Sequence, residues 1–166
     1  MNSLNDLQYM NIVDKYINNK KFQKTKSIEQ HGITRFEHSL KVSYYSYKIA
    51  KLLRLNYRET AVGGLLHDFF INSNDMGKKE KFSLFFSHPK YALKTASDEF
   101  ELTILEKDII RNHMFPTTPA VPKYLESWIV CLVDKCIATK EFSFKFRGQL
   151  RYAYNLFVFF IIGIIK

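Results

Sequence analysis

Along most of the chain, apolar residues recur at intervals of three and four, the period of a helix with one buried face. The first such stretch opens at Ser3 with Asp6 and runs to about Asn18. Thr34, followed three residues later by Glu37, forms a capping box. It announces a helix over residues 36–55, with Val42, Tyr45, Ile49 and Leu52 on its apolar face and His38 at its N-terminal end. Residues 58–70 form a third helix, apolar nearly throughout, with Gly63 and Gly64 in its middle. Glycine weakens a helix, so the pair is expected to permit close backbone contact with another helix. Residues 72–87 read as a polar, lysine-bearing loop. Ser87 then caps a helix starting at His88 and Pro89, since proline suits a first turn, and Ala92, Leu93 and Ala96 form its apolar side. Thr103 with Glu106 is a second capping box, and its helix ends near His113 because Pro116, Pro119 and Pro122 stiffen the next segment. Residues 123–139 give another strongly apolar helix, carrying Leu125, Trp128, Ile129, Leu132, Val133 and Cys136. The pattern predicts an all-α fold.

After Glu141 the texture changes. Phe142, Phe144 and Phe146 alternate with Ser143 and Lys145, a run too short to define a strand. Residues 156–165 are ten consecutive apolar positions, LFVFFIIGII. Counted back through Tyr152 the stretch reaches about fourteen, below the roughly 18 that a spanning helix needs. Residues 142–166 are therefore expected to pack as a last helix on the domain of residues 1–141, or on a second copy in a homodimer. A membrane-associating tail, with Lys145, Arg147 and Arg151 meeting anionic headgroups, is the disfavoured alternative.

Composition adds charge to this picture. The 166 residues suffice for one domain, and 46% apolar content excludes wholesale disorder. With 25 Lys+Arg against 16 Asp+Glu, the formal charge is +9, which suits an anionic partner. Residues 1–12 lack the features of a secretory signal, so a cytoplasmic location is expected. Cys131 and Cys136, five apart, fall on different faces of a helix and read as two small core residues of a reduced protein.

Two positions break the apolar logic. Asp68 stands in Leu65-Leu66-His67-Asp68-Phe69-Phe70-Ile71, and Asp134 in Trp128-Ile129-Val130-Cys131-Leu132-Val133-Asp134. An ionised carboxylate in such surroundings is unfavourable unless paired, hydrogen-bonded or bound to a cation. Four of the five histidines, His38, His67, His88 and His113, fall near helix termini or beside these acids. Imidazole and carboxylate together suit Mn, Fe, Co, Ni or Zn, and no thiolate is placed to close a structural zinc site. Six ligands exceed what one catalytic metal with open positions needs. They suit two divalent metal ions bridged by a carboxylate, a clamp used in phosphate-ester hydrolysis.

The order His38, His67-Asp68, His88, His113, Asp134 resembles the HD-domain superfamily of metal-dependent phosphohydrolases. Arg35-Phe36-Glu37-His38-Ser39-Leu40 looks like the family's Arg-x-x-His-Ser opening. Gly63-Gly64-Leu65-Leu66-His67-Asp68 resembles its His-Asp signature, and Val133-Asp134-Lys135 its closing Asp. The resemblance spans residues 35–135. It implies an HD-type helical bundle with the metal site between helices. It also implies that His38, His67, Asp68 and Asp134 hold one ion while His88 and His113 join Asp68 in holding a second. The four-His, two-Asp set is similar to binuclear members such as the diadenosine tetraphosphate hydrolases. Phe69-Phe70 departs from the Ile-Gly that follows His-Asp in one subset, and nothing resembles the Gly-Tyr-Pro signature of cyclic-di-GMP phosphodiesterases.

The expected activity is thus a metal-dependent phosphohydrolase acting on a small phosphorylated substrate or nucleotide. Asp68, Arg35 and Lys135 are its catalytic candidates. Arg35 and Lys41, three residues either side of His38, share its helical face, and Arg35 is the better phosphate binder because its fork is permanently charged. Lys41 reads as a solvated lysine. Lys135 is expected to orient Asp134 or meet substrate, with a purely structural role as the alternative. Glu37 is accounted for by its capping box, Asp75 by a solvated loop, Lys78, Lys79 and Lys81 by a charged loop, and His31 by exposure. Two other functions use the same residues or the same charge: an HD-type mixed-valent di-iron oxygenase, and a basic nucleic-acid-binding module. The second is disfavoured because most of the Phe and Tyr fall at helical core spacing and no RNA-binding motif is present.

Overall fold

The structure, a computed structural model, describes residues 5–30, 32–71 and 78–164, with side chains described as far as residue 147 except at 30, 78–81, 144 and 145. Its elements are helical. Helix α1 (Leu7–Ile17) is capped by Asp6, whose carboxylate accepts the Tyr9 N–H at 3.1 Å; Ser3 lies outside the described residues. Helix α2 (Lys20–Gln23) and a 3-10 turn lead into an antiparallel ribbon of two-residue strands, β1 (Glu29–Gln30) and β2 (Ile33–Thr34). Then come α3 (Arg35–Leu52), α4 (Tyr57–Leu66), α5 (Lys78–Glu99), α6 (Ile104–Asn112) and α7 (Leu125–Ile164). The fold is all-α, as the periodicity predicts.

Both capping boxes form. Thr34 and Glu37 exchange hydrogen bonds at the start of α3, and Thr103 and Glu106 do the same at α6. The face that α3 buries keeps Val42 from the predicted set but otherwise differs from it. Phe36, Leu40, Val42, Tyr47 and Ala50 are buried together with Ser39, Ser43 and Ser46, whereas Tyr45, Ile49 and Leu52 are exposed. Ser43 can line this face because neighbouring helices satisfy its hydroxyl: it donates to the Ala61 carbonyl at 2.6 Å and accepts the Tyr9 hydroxyl at 2.9 Å. Small side chains also let α4 come close. A Cβ on Gly64 would stand 3.1 Å from the Ser43 Cα, and one on Gly63 would stand 2.8–2.9 Å from three side-chain atoms of Ile109. The glycine pair therefore admits two helices, α3 and α6, one on each residue.

Three helix boundaries need correction. Helix α5 starts at Lys78, so His88 and Pro89 lie inside it and Ser87 is not its cap. Residues 72–77, including Asp75, fall outside the described residues. Helix α4, conversely, stops at Leu66 with His67 as its C-cap, so the His-Asp pair marks a helix end. The apolar helix predicted to end at residue 139 continues as α7 to Ile164, and the alternation at Phe142 is part of a helix. The side chains of residues 148–166 lie outside the description, and with them what the apolar tail packs against. Among the described residues, no helix is long and apolar enough to cross a membrane. Cys131 is buried as predicted, but Cys136 is exposed, on the outer side of α7.

The main core joins α1, α3, α4 and α5 through Tyr9, Val13, Phe22, Leu40, Tyr47, Leu65, Phe69, Ala92 and Ala96. A smaller cluster of Val42, Ile109 and Val130 fastens α6 and α7 to it. Between α6 and α7, buried Asp108 accepts hydrogen bonds from Asn112 Nδ2 at 2.7 Å, Ser127 Oγ at 2.6 Å and the Lys123 N–H at 3.0 Å. Asp108→Ala leaves those donors unmatched and is expected to cost about 2–3 kcal/mol. Thermal unfolding of the variant checks this, and an unchanged midpoint would rule the network out as a contributor.

Candidate metal centre

The ends of α4 and α6, the middle of α5, the first turn of α3 and the N-terminal third of α7 converge on one buried point. His38, His67, Asp68, His88, His113 and Asp134 all lie there, each at most 8% exposed. Three overlapping groups within this set could hold a metal ion: His38 with His67 and Asp68, His67 with His113 and Asp134, and Asp68 with His88 and His113. In each group the ligand atoms lie within 4.8 Å of one another. The six predicted ligands are therefore neighbours in space.

Helix termini explain why the imidazoles aim inward. The last carbonyls of a helix have no N–H of their own to accept. His67, capping α4, donates its Nδ1–H to the Gly64 carbonyl at 2.8 Å, and His113, capping α6, donates to Ile110 at 2.8 Å. His88 lies inside α5 but meets the same situation, because Pro89 has no N–H for the Phe85 carbonyl one turn back. His88 Nδ1 donates to that carbonyl at 2.8 Å. A carbonyl can only accept, so all three rings carry their proton on Nδ1 and present Nε2 to the cluster. Proline inside α5, which misled the boundary, is what frees this anchor.

His38 is held differently. Its Nε2 lies 3.0 Å from Asp134 Oδ1 and its Nδ1 2.9 Å from Glu141 Oε2. Burial alone would lower the His38 pKa, but the two carboxylates outweigh it and push it up to about 10. Glu141 in turn accepts Lys41 Nζ at 2.9 Å, so Lys41 is ion-paired rather than merely solvated. Sequence reasoning missed Glu141 altogether.

The remaining distances suit cation chemistry. Among the described residues, His67 Nε2 has no hydrogen-bond partner; Asp68 Oδ2 and Asp134 Oδ1 each stand 3.6 Å from it. Asp68 Oδ1 lies 3.2 Å from His88 Nε2 and 3.7 Å from His113 Nε2. The Nε2 atoms of His88 and His113 face each other at 3.0 Å. With both Nδ1 atoms already protonated, two bare lone pairs at that distance would repel, so a proton or another cation must lie between them. Against burial, which disfavours a charged imidazole, Asp68 raises the His88 pKa. Burial and its histidine neighbours lower that of His113 to about 3. Burial would raise both aspartates, but the surrounding imidazoles overcome it and hold Asp68 and Asp134 well below the ordinary carboxylate range. Donors about 2.1 Å from a common ion stand roughly 3.0–3.4 Å apart, and these atoms are spaced close to that. A carboxylate and imidazole set of this kind suits Mn, Fe, Co, Ni or Zn.

The cationic candidates flank this cluster. Arg35 is buried, donates from Nη1 to the Phe70 carbonyl at 2.7 Å, and lies 3.7 Å over the Phe70 ring. Phe70 packs its other neighbour, the His88 ring, at 5.6 Å between centroids. The aromatic pair after His-Asp thus has a structural use, with Phe69 in the core and Phe70 between Arg35 and His88. Lys135 Nζ turns to the His113 carbonyl at 2.9 Å and to the carbonyl and Sγ of Cys131 at 3.3 and 3.2 Å. It caps the C-terminal end of α6 from α7. Glu37 stays in its capping box, and His31 lies outside the described residues.

A family model described as HD domain matches residues 35–139, well over half of the chain. No curated protein matches it.

Proposed function

The chain belongs to the HD-domain family, a metal-dependent hydrolase superfamily, and on that premise we propose that it is a metal-dependent phosphohydrolase acting on a small phosphate ester or nucleotide. The observation that carries the reading is the convergence of four imidazoles and two ionised carboxylates at one buried point, with donor spacings that suit metal ions. His38, His67, Asp68 and Asp134 would hold one divalent ion, and Asp68, His88 and His113 a second. When bound, such ions supply charge stabilisation at phosphoryl oxygens and a water that ionises near neutral pH.

The chain's own residues do the rest. The Nδ1 bonds of His67, His88 and His113 fix which nitrogen faces the reacting centre, so no reorientation is needed. Asp68 supplies two oxygens to the two halves of the cluster, Oδ2 toward His67 and Oδ1 toward His88. Arg35 and Lys135, both anchored on backbone carbonyls, set positive charge beside the cluster and favour an anionic substrate by field rather than by a mobile grip.

Binding at His38 Nε2 displaces the proton that Asp134 stabilises there. Affinity for Mn should therefore rise with pH by about tenfold per unit for each proton released, up to pH about 10. Below that pH the proton competes; above it the competition ends. Titration calorimetry at several pH values checks this, and an affinity independent of pH would contradict it. Activity is tested by incubating the Mn-loaded chain with a panel of nucleotides, dinucleoside polyphosphates and simple phosphate esters. Release of phosphate or nucleoside monophosphate, abolished by a chelator, is the expected result. Oxygen consumption by the iron-loaded chain without phosphate release would point to the oxygenase chemistry instead.

A further inference from the structure

Three of the four clustered histidines are aimed by backbone carbonyls, and His38 is not. It sits in the first turn of α3, where the carbonyl three residues back belongs to Arg35 and is engaged within the helix. The ring's Nδ1 turns instead to a side-chain acceptor. Glu141 provides it: Oε2 accepts from His38 Nδ1 at 2.9 Å while Oε1 accepts from Lys41 Nζ at 2.9 Å. Glu141 stands seven residues after Asp134 on α7, two turns on along the same side, so one helix holds both nitrogens of His38. Glu141 is buried, whereas Lys41 is about one-third exposed, so the lysine tethers the carboxylate from the solvent side. The family match ends at residue 139, and Glu141 lies beyond it.

We propose that Glu141 is a positioning residue of the metal centre. Braced by Lys41, it holds His38 with Nε2 turned to the cluster and strengthens that nitrogen as a ligand. This rests on the metal reading given above. A carboxylate accepting a ligand imidazole's far N–H keeps the ring oriented and raises its basicity, and its loss typically costs about 10–100-fold in metal affinity.

The test titrates Mn into the metal-free full-length chain and its Glu141→Gln and Glu141→Ala variants, and records the visible spectrum of each after loading with Co. Gln keeps the shape and an acceptor but loses the charge, so Glu141→Gln should weaken Mn about tenfold and Glu141→Ala up to about 100-fold. The Co spectrum, which reports the ligand field, should shift in both. Wild-type Mn affinity in Glu141→Gln would overturn the proposal. So would weakened affinity with an unchanged Co spectrum, which marks a general loss of stability. If Glu141→Ala fails to fold, the near-isosteric Gln variant decides. A wild-type chain that binds neither ion would overturn both this proposal and the metal reading beneath it.

Discussion

Asp68→Asn is expected to abolish hydrolysis and to weaken Mn binding by well over the 10–100-fold typical for loss of an outer partner. Asp68 belongs to two of the three groups that could hold an ion, and its two oxygens approach different histidines. Losing its charge takes an anionic donor from both halves at once. Its ionised state is strongly supported by His67, His88 and His113, so an uncharged amide reverses a large local electrostatic preference. Asparagine keeps the volume and leaves α4 and α5 in place, so a folded chain without metal is the predicted outcome. Mn titration and unfolding with and without Mn read this directly. Wild-type affinity in a folded Asp68→Asn chain would remove Asp68 from the ligand set.

Gly63→Ala should destabilise the fold and, through α6, loosen the cluster as well. A methyl there meets Ile109 Cδ1 at 2.8 Å and its Cβ and Cγ2 at 2.9 Å, closer than such atoms approach in practice. Alanine gains about 1 kcal/mol of helix propensity over glycine, while overpacking costs about 1–3 kcal/mol, so the sign depends on whether Ile109 can yield. It cannot yield by rotating, because one of the clashing atoms is its own Cβ. The net expectation is about 1–2 kcal/mol of destabilisation, a fall in Tm of roughly 2–8 °C. Helix α6 must move to relieve the contact, and it carries His113 at its end. Metal affinity should therefore fall along with Tm. A second prediction separates the cause: Ile109→Ala removes Cδ1 and Cγ2 but retains the clashing Cβ, and should restore the Gly63→Ala chain only in part. Full rescue by Ile109→Ala would show that the clash lies with Cδ1 and Cγ2, which alanine lacks, rather than with the Cβ.

What could be read from the sequence, and what could not, divides along physical lines. The two capping boxes were legible because their residues act within one turn. Asp68 and Asp134 were legible because acids inside apolar runs need a partner. That rule is not specific to metals: Asp108 is buried as well, and its partners are Asn112, Ser127 and the Lys123 N–H. Adjacent histidines, rather than burial, are what set the cluster apart. The face of α3 departs from its apolar pattern because Ser39, Ser43 and Ser46 are buried, and Ser43 meets α4 at a distance that a larger side chain would not allow. The start of α5 was misplaced because proline inside a helix is costly, and only the structure shows what becomes of the carbonyl it leaves. Glu141 was invisible for a related reason. Its signal is the seven-residue spacing from Asp134, and that spacing has meaning only if α7 runs through the alternating phenylalanines. Lys41 was misjudged with it, since its partner was unrecognised.

Whether the four histidines and two aspartates hold divalent metal is tested most directly by equilibrating the purified full-length chain with Mn, removing the excess, and measuring bound metal per chain by elemental analysis. The expected result is stoichiometric metal, approaching roughly two ions per chain, that a chelator removes while the chain stays folded. A folded chain that retains no metal after the same treatment would contradict the assignment of all six residues as ligands.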